Sequence, residues 1–558
     1  MNSVYSLVCK RKYILQEDRI PASRMRLLKS FLLLLPLSMI FTACNRKGKA
    51  MEDASANREK LPNIVYILAD DLGYGDIGAF NPDGKIPTPN IDRLAAEGMR
   101  FTDAHSPSAV CTPTRYGILT GRYAWRSGLK EGVLTGKSKA LIPEGRSTVA
   151  SLLKTEGYRT AFIGKWHLGW DWALADSTDF GGSGWNAGDF DNIVFTEPVE
   201  NTPNDLGFNY AYGHSGSLDM APYVYVENAQ VTAEVDTITE NKDKYSWWRK
   251  GPTASDFDHE QVTPHFFSKA ADYLRQSSEH EVPFFLYLAL PSPHTPILPT
   301  EAWQGESGIN PYADFVMMID DYVGQLVETL AARGLADNTM IVFTSDNGCS
   351  PEADFDILAE KGHHPSAGFR GHKADIFEGG HRIPFIVKWP GRISPNTISN
   401  LTVCQTDLMA TCADIIGKSL EESEGEDSFS MLPLFANSDK VEYGRKATVH
   451  HSVNGSFAIR QGNWKLIFCP GSGGWSDPKP GTEAVKALPE YQLYNLSEDP
   501  FESSNLVDKH PDKVKALRDL IASYIKNGRS TPGEPQQNDT LDLNGKGWEQ
   551  ISTIVSVR

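Results

Sequence analysis

The chain has 558 residues, of which 40% are hydrophobic and 22% are charged. This composition excludes a mainly disordered or coiled-coil protein, because such chains have too little apolar surface to bury in a core. The 54 Lys and Arg residues against 71 Asp and Glu residues give a net charge of −17. That balance argues against nucleic acid as a partner, since a phosphate backbone selects basic surfaces. The length fits one large α/β enzyme with an accessory domain, or several smaller domains.

The first recognisable segment is an export signal. A basic stretch, residues 24–29, precedes an apolar run from Phe31 to Phe41. The run is about half of the roughly 20 residues that span a bilayer, which disfavours the alternative of a transmembrane anchor. It ends in Phe41-Thr42-Ala43-Cys44, which resembles a bacterial lipoprotein cleavage box and implies cleavage before Cys44 and a lipid on that cysteine. We therefore predict membrane attachment through Cys44.

The segment before the folded body sets the expected location. We predict residues 1–43 to be an N-terminal extension with a lipoprotein signal peptide, and residues 44–60 to be a polar tether. Removal of seven basic and two acidic residues leaves 47 against 69, a net charge of −22 for the mature chain. The basic residues in Asn45-Arg46-Lys47-Gly48-Lys49 favour the periplasmic side over the cell surface.

Residues 61–440 show the alternation of an α/β domain. Short apolar runs predict buried parallel strands, and amphipathic patterns between them predict helices on both faces of a mostly parallel sheet. The runs are Ile64–Leu68, Thr160–Ile163, Phe284–Leu288, Met340–Phe343 and Pro384–Val387, and the helical patterns are Ile91–Glu97, Ser147–Glu156 and Phe315–Leu330. We therefore predict one catalytic domain over this range.

Residues 441–558 change to a pattern of antiparallel strands. The runs Phe457–Arg460 and Trp464–Ile467 flank Gly462-Asn463, which is typical of a hairpin. A third run covers Tyr491–Leu496, and a final helix is predicted from about Pro511 to Lys526. This part is predicted to be a smaller α+β subdomain.

Polar side chains follow four of the predicted strands. In open α/β sheets, ligands bind beyond the carboxyl ends of the strands, so these residues are predicted to converge at one edge. The oxygen donors among them favour Ca²⁺ or Mg²⁺ over zinc, although a single Asp-Asp pair is more often a helix cap or a solvated turn. The residues are Asp70, Asp71, Lys165, His167, His294, Asp346 and Asn347.

Two long motifs carry a family resemblance. The first, Cys111-Thr112-Pro113-Thr114-Arg115, continues through a hydrophobic pair to Thr120-Gly121, and the second runs from Gly157 to His167. Both resemble signatures of the sulfatase family, with Thr114 where many members have serine. The resemblance extends from about Asn63 to the C-terminal helix and implies an alkaline phosphatase-like fold. It also implies that a maturase oxidises Cys111 to formylglycine, the residue 3-oxoalanine.

The resemblance implies how the site works. One hydroxyl of the hydrated aldehyde attacks sulfur, and the second lets sulfate leave by collapse back to the aldehyde. Arg115 orients this group, Lys165 and Lys373 hold sulfate oxygens, His167 takes a proton, and His294 protonates the leaving oxygen. The implied Ca²⁺ ligands are Asp70, Asp71, Asp346 and Asn347 together with the group derived from Cys111.

The sequence also suggests residues that contact the substrate, a sulfated carbohydrate. The segment His214–Met220 resembles one seen in bacterial carbohydrate sulfatases, and His363-His364 is interpreted as an exposed loop near the cleft. Four aromatic residues are interpreted as core residues, with stacking on sugar rings as the alternative: Tyr223, Tyr225, Trp247 and Trp248. The candidate contacts are His214, Ser217, Asp219, His363, His364 and Arg382.

The predicted function is exo-acting hydrolysis of carbohydrate sulfate monoesters. A body of charge −22 repels polyanions, which favours one terminal sulfate entering a pocket. The resemblance to carbohydrate sulfatases, including the N-acetylgalactosamine-6-sulfatase type, implies the first guess for the substrate, 6-O-sulfated galactose or N-acetylgalactosamine of glycosaminoglycan-type glycans. One alternative is a phosphodiesterase or phosphomonoesterase of the same superfamily, which would use zinc ions held by Asp and His. The other is a catalytically inactive glycan-binding lipoprotein.

Overall fold

The computed structural model describes residues 61–178, 180–436 and 443–555. The predicted signal peptide, the predicted lipid site at Cys44 and the predicted tether lie outside these residues. In the part of the chain that is described, no helix combines the length and the apolar character needed to cross a membrane.

The strands form one large sheet and three smaller ones. In chain order they are β1 (Asn63–Asp70), β2 (Met99–Phe101), β3 (Ala104–His105), β4 (Arg159–Lys165), β5 (Tyr210–His214), β6 (Val226–Glu227), β7 (Gln230–Val231), β8 (Val235–Asn241), β9 (Trp248–Ala254), β10 (Phe284–Pro293), β11 (Thr339–Ser345), β12 (Phe385–Lys388), β13 (Thr397–Ser399), β14 (Val403–Cys404), β15 (Thr448–His451), β16 (Phe457–Gln461), β17 (Trp464–Ile467) and β18 (Gln492–Asn495).

The helices flank the large sheet in two groups, in which α1, α4 and α5 pack together and α2, α3 and α8 pack together. Their bounds are α1 (Pro89–Ala96), α2 (Cys111–Thr120), α3 (Val149–Thr155), α4 (Val262–Ser277), α5 (Pro311–Ala332), α6 (Phe355–Glu360), α7 (Glu378–His381), α8 (Leu408–Ile415), α9 (Glu483–Lys486), α10 (Pro511–Lys526) and α11 (Glu549–Val555).

The ten-stranded sheet has a parallel centre. Its order is β13-β2-β12-β11-β1-β10-β4-β5-β6-β7, and the five strands from β11 to β5 run parallel. Every residue of β1, β10 and β11 is buried, which explains why these strands are continuous apolar runs. The predicted mostly parallel sheet with flanking helices is confirmed.

One predicted strand runs in the other direction. The apolar run that ends at Val387 forms β12, which pairs antiparallel with β11 rather than parallel. The chain between the two strands, residues 346–384, contributes Asp346, Asn347 and Lys373 to one edge of the sheet. It re-enters the sheet from that same edge, so the next strand must run back. An apolar run does not encode its direction, and the prediction of a parallel strand was wrong here.

The C-terminal part contains an antiparallel sheet of order β15-β16-β17-β18. The predicted hairpin is confirmed, with Gly462 at φ +56° in the turn, where a side chain would be strained. Helix α10 has the predicted bounds and packs against β16 and β17. It is not the last helix, because α11 follows it, and β15 was not predicted.

A buried polar network joins the C-terminal sheet to β3. Arg460 of β16 donates from both terminal nitrogens to the carboxylate of Asp103, at 2.7 Å each. Asp103 lies 2.9 Å from Nε2 of His105, and Nδ1 of His105 lies 3.0 Å from Nδ1 of His381. Lys465 of β17 donates to Nε2 of His381 at 3.0 Å. With both rings neutral, each histidine receives one hydrogen bond and gives one along this chain.

We expect acid to destabilise the protein through this network. Burial lowers the pKa of His105, His381 and His450 below the ordinary 6.5. Below pH 6.5 these histidines bind protons in the unfolded chain but stay neutral in the folded protein. The free energy of unfolding therefore falls as the pH falls. At pH 5 the expected loss is about 2 kcal/mol for each histidine that stays neutral. Urea unfolding at pH 7.5 and pH 5.0 measures it.

Two variants separate this effect from general acid sensitivity. His450→Gln removes one buried titrating ring and should reduce the difference in stability between the two pH values by about 2 kcal/mol. His280→Gln, at an exposed position after α4, should leave that difference unchanged. Equal stability of the wild-type protein at both pH values would contradict the prediction.

Candidate active site

Four central strands end at one place. β1 ends at Asp70 and is followed by Asp71, and β4 ends at Lys165, two residues before His167. The other two, β10 and β11, lead into His294 and into Asp346-Asn347. The structure therefore brings together the residues that the strand ends predicted.

The backbone at these strand ends is constrained. Asp71 has φ 65° and His167 has φ 54°, a left-handed region that non-glycine residues seldom adopt. Gly164 precedes Lys165 with φ 125°, and a Cβ there would lie 1.8 Å from the carbonyl oxygen of Ala289. Glycine is therefore required for the close approach of β4 to β10 next to Lys165.

A cluster of buried oxygens lies at the centre. Asn347 donates through Nδ2 to Oδ1 of Asp71 at 2.7 Å, and the N–H of Asp71 donates to Oδ1 of Asp346 at 3.2 Å. Oδ1 of Asp70 and Oδ1 of Asn347 are buried and have no hydrogen-bond partner in the described chain. Burial, with the charge of Asp70 next, raises the pKa of Asp346 to about 7.

These features fit a hard cation. Two buried oxygens beside three carboxylates lack a hydrogen-bond partner in the described chain, and such oxygen donors suit Ca²⁺. Asp70, Asp71, Asp346 and Asn347 would supply them. The Sγ atom of Cys111 lies within 4.8 Å of carboxylate oxygens of Asp70 and Asp346, so position 111 also faces the cluster.

Cys111 is the first residue of α2 and is only 3% exposed. Burial raises the pKa of its thiol to about 11, although Lys165 and Lys373 favour the thiolate. An unmodified thiol is therefore protonated at neutral pH and is a poor nucleophile.

Arg115 lies one helical turn after Cys111 and is fully buried. Its Nε and Nη2 donate to Oδ2 of Asp346 at 3.1 and 2.8 Å, and its Nη1 donates to the carbonyl oxygen of Lys165 at 2.9 Å. The guanidinium thus ties the start of α2 to β4 and to the residue that follows β11. It fixes the cluster rather than facing an open cavity.

Two lysines face the same carboxylates. Lys373 donates to Oδ2 of Asp71 at 2.7 Å, and Lys165 pairs with Oδ2 of Asp70. Lys165 also donates to Oγ of Ser217 at 3.1 Å. Burial opposes a charge on Lys373, but Asp71 holds the pKa of its ammonium above the ordinary value. Both ammonium groups are placed to bind an anion next to the cluster.

His167 and His294 each donate one ring nitrogen to a backbone carbonyl, but they use different nitrogens. Nε2 of His167 donates to the carbonyl oxygen of Leu134 at 2.7 Å, which leaves its buried Nδ1 without a partner. Burial, followed by the charges of Lys165 and Arg115, lowers the pKa of His167 well below 6.5. Nδ1 of His294 donates to the carbonyl oxygen of Thr295 at 2.6 Å, and its Nε2 lies 3.6 Å from Asp71. One ring is therefore set to accept a proton, and the other presents Nε2 to the carboxylates.

The predicted substrate contacts divide into two groups. Ser217 and His214 lie at the site, since Ser217 is 3.3 Å from His294 and His214 pairs with Lys165 across β5 and β4. Asp219 follows in the same turn, and its buried Oδ1 is unpartnered. Tyr223 and Tyr225 are buried in the core, as interpreted from the sequence, and Trp248 is partly buried against it. Trp247 is only partly buried and lies beside Arg249, so its interpretation as a core residue was wrong.

The other predicted contacts lie elsewhere. His363 is fully buried, with Nε2 2.8 Å from Asp76 and Nδ1 accepting from the N–H of Lys85, so the expectation of an exposed residue was wrong. His364 is exposed, as expected. Arg382 donates to the carbonyl oxygen of Thr102 at 3.1 Å and to Glu378 at 3.2 Å, within the polar network. His363 and Arg382 bind to carboxylates, those of Asp76 and Glu378. No local sequence pattern indicates these partners.

Some residues near the site carry no sequence signal. Trp475 is 42% exposed, and the Lys373 ammonium lies 5.9 Å from its ring centroid. Arg249 pairs with Asp219. They come from distant parts of the chain and belong to no motif, so spacing does not reveal them.

Comparison with known proteins gives consistent matches. The family model described as Sulfatase matches residues 62–418. An N-acetylgalactosamine-6-O-sulfatase of Bacteroides thetaiotaomicron is 33% identical over 88% of this chain and 98% of its own length. Human arylsulfatase A is 32% identical over 82% of this chain and 87% of its own. A solved structure whose title concerns the metabolism of multiple glycosaminoglycans by Bacteroides thetaiotaomicron is 30% identical to this chain and superimposes on it with a TM-score of 0.71. The match covers 83% of this chain and 99% of that one.

Proposed function

The chain belongs to the sulfatase family and is a sulfuric ester hydrolase, and from this premise we propose that it hydrolyses sulfate monoesters of carbohydrates. The observation that carries the proposal is the convergence of Lys165, Lys373 and His294 on one carboxylate cluster. Two ammonium groups and a ring nitrogen at that place suit a sulfate and the oxygen that leaves it.

We propose that the reaction requires a bound calcium ion and a modified residue at position 111. Calcium, held by Asp70, Asp71, Asp346, Asn347 and the group at position 111, supplies positive charge next to a sulfate oxygen. Formylglycine at position 111, made by a maturase, supplies an oxygen nucleophile where a thiol of pKa about 11 does not ionise.

The remaining groups act around these two. Lys165 and Lys373 bind sulfate oxygens and hold the ester in place. With both ring nitrogens protonated, His294 would donate from Nε2 to the departing sugar oxygen, since its Nδ1–H is bonded to the carbonyl oxygen of Thr295. His167 accepts a proton at Nδ1, because its Nε2 is committed to Leu134. Arg115 keeps the start of α2 in register with the cluster.

We also propose export and lipid anchoring at Cys44, on the periplasmic side. The support is the sequence of residues 24–49, a basic start, an apolar run and a lipoprotein-like box. A lipid on the mature N-terminus would hold the enzyme at a membrane without a spanning helix.

The proposed substrate is 6-O-sulfated galactose or N-acetylgalactosamine at the end of a glycosaminoglycan-type glycan. The similarity to an N-acetylgalactosamine-6-O-sulfatase over 88% of this chain supports the sugar and the position. The negative charge of the body supports exo-action, since a long polyanion meets repulsion outside the local positive charges.

We expect the purified enzyme to prefer the 6-O-sulfate. Its kcat/KM should be at least about tenfold higher on 6-O-sulfated N-acetylgalactosamine than on sugars sulfated at O2, O3 or O4, because a pocket that binds hydroxyls discriminates strongly between positions. Sulfate release from the four sugars, measured side by side, tests this. Intact chondroitin sulfate serves as the polymer control, and a preference for it would contradict exo-action. A preference for another position would contradict only the predicted regiochemistry.

A further inference from the structure

Arg249 is the cation of an ordered stack near the site. Its guanidinium carbon lies 5.0 Å from the ring centroid of Trp185 and 5.0 Å from the ring centroid of Trp247. Nη1 pairs with the carboxylate of Asp219, whereas Nε and Nη2 have no hydrogen-bond partner among the described residues. The side chain is 34% exposed. The planar guanidinium of Arg249 thus lies beside two indole rings, and its remaining N–H groups are unpartnered among the described residues.

Hydrogen bonds to neighbouring carboxylates fix both tryptophans. The carboxylate of Asp189 accepts from the N–H groups of Gly184, Trp185 and Asn186 at 2.8 to 3.1 Å, which fixes the loop that carries Trp185. Trp247 donates through Nε1 to Glu352 at 3.1 Å. Trp185 is 42% exposed, so its indole is available to a ligand as well as to Arg249. The stack is organised without a substrate.

The stack is connected to the catalytic groups through one turn. Ser217 contacts both Lys165 and His294, and the N–H of Met220 donates to the carbonyl oxygen of Ser217, which closes a turn containing Asp219. The N–H of Arg249 donates to the carbonyl oxygen of Asp219 at 3.2 Å. Asp219 is 3% exposed and keeps an unpartnered Oδ1. The unpartnered N–H groups of Arg249 therefore lie one turn away from the residues that are proposed to hold the sulfate.

We propose that Arg249 binds an anionic group, a carboxylate or a second sulfate, on the sugar attached to the one that is desulfated. This inference rests on the proposed function and adds a specificity residue to it. The unpartnered Nε and Nη2 match two oxygens of a planar or tetrahedral anion, and the pair with Asp219 fixes the orientation of the guanidinium. Trp185 and Trp247 lie beside the guanidinium and reduce its contact with water, which strengthens the pair with an anion.

The test compares Arg249→Gln with the wild-type enzyme on four substrates. These are the sulfated monosaccharide, its disaccharide with a uronic acid, the same disaccharide with the carboxyl group reduced to an alcohol, and a disaccharide whose neighbouring sugar carries a sulfate. We expect the variant to lose about tenfold to a hundredfold in kcat/KM, mainly through KM, on the two acidic disaccharides. The loss on the other two should be less than about twofold. The comparison between the acidic disaccharides identifies which anion is preferred.

Control variants separate recognition from structure. Arg275→Gln removes an exposed guanidinium on α4 and should change none of the four values. Arg249→Lys keeps the charge without the planar fork and should recover part of the loss. An equal loss on all four substrates, or no loss on the acidic ones, would overturn the inference.

A binding measurement keeps the inference separate from the proposed function. Calorimetric affinity of the uronic acid disaccharide for the Cys111→Ser protein does not depend on turnover, and Arg249→Gln in that background should weaken it by the same factor. Affinity that is unchanged by Arg249→Gln would overturn the inference. Failure of the wild-type enzyme to hydrolyse any of the sulfated sugars would count against the proposed function instead.

Discussion

Replacement of Cys111 by serine is expected to lower sulfatase activity by at least about a thousandfold, when the maturase present accepts only cysteine. The structure gives the reason, because position 111 is buried at the start of α2 and faces the carboxylates of Asp70 and Asp346. A serine hydroxyl at this place offers only one oxygen and cannot form the geminal diol that releases sulfate. Initial rates on a 6-O-sulfated sugar, with equal amounts of folded protein, measure the loss.

The matched control is Cys469→Ser. Cys469 follows β17, and its Sγ lies 3.7 Å from the carbonyl oxygen of Gly471, with no contact to the candidate active site. This variant should keep wild-type activity, since it removes a thiol that the site does not use. A Cys111→Ser enzyme that retains the wild-type rate without any modified residue would contradict the covalent mechanism.

Removal of bound metal is expected to abolish activity, and Ca²⁺ is expected to restore it better than Zn²⁺. The donor atoms at the cluster are oxygens, and the unpartnered Oδ1 atoms of Asp70 and Asn347 are of the type that calcium selects. Burial, followed by the charge of Asp70, raises the pKa of Asp346 to about 7, and a bound cation would favour its ionised form. Activity after treatment with a chelator and titration with each metal provides the measurement.

Two variants test the assignment of the ligands. Asp346→Asn should bind calcium much more weakly, because it removes one negative charge from the cluster. Asp320→Asn is the control, since Asp320 is also buried but accepts from the N–H groups of Asn90 and Ile91 on α1. It should bind one calcium ion as the wild type does. Restoration by zinc alone, with two zinc ions per chain, would favour the phosphoesterase alternative.

The central strands and the residues that follow them could be predicted from the sequence. Strands buried on both faces must be apolar throughout, so β1, β4, β10 and β11 are visible as short hydrophobic runs. Parallel strands also share one carboxyl edge, so Asp71 and Asp346, 275 positions apart, could be placed together before any contact was known. The Cys111 motif then indicated the sulfatase family, to which the chain belongs.

Features that depend on long-range contacts could not be predicted. The direction of β12 follows from where the preceding chain re-enters the sheet. His363 is buried because Asp76, 287 positions away, accepts its hydrogen bond, and a pair of adjacent histidines does not reveal that partner. The stack of Trp185, Arg249 and Trp247 forms between two separate segments for the same reason. Such contacts are properties of the folded chain rather than of a local pattern.

The mass of the intact mature protein tests the central claim most directly. Conversion of Cys111 to the aldehyde lowers the mass by about 18 Da, and cleavage followed by peptide mass spectrometry should assign the change to the segment that begins α2. The account predicts this lower mass in active wild-type enzyme and its absence in the Cys111→Ser variant. Full activity in protein whose Cys111 carries an unmodified thiol would contradict the account.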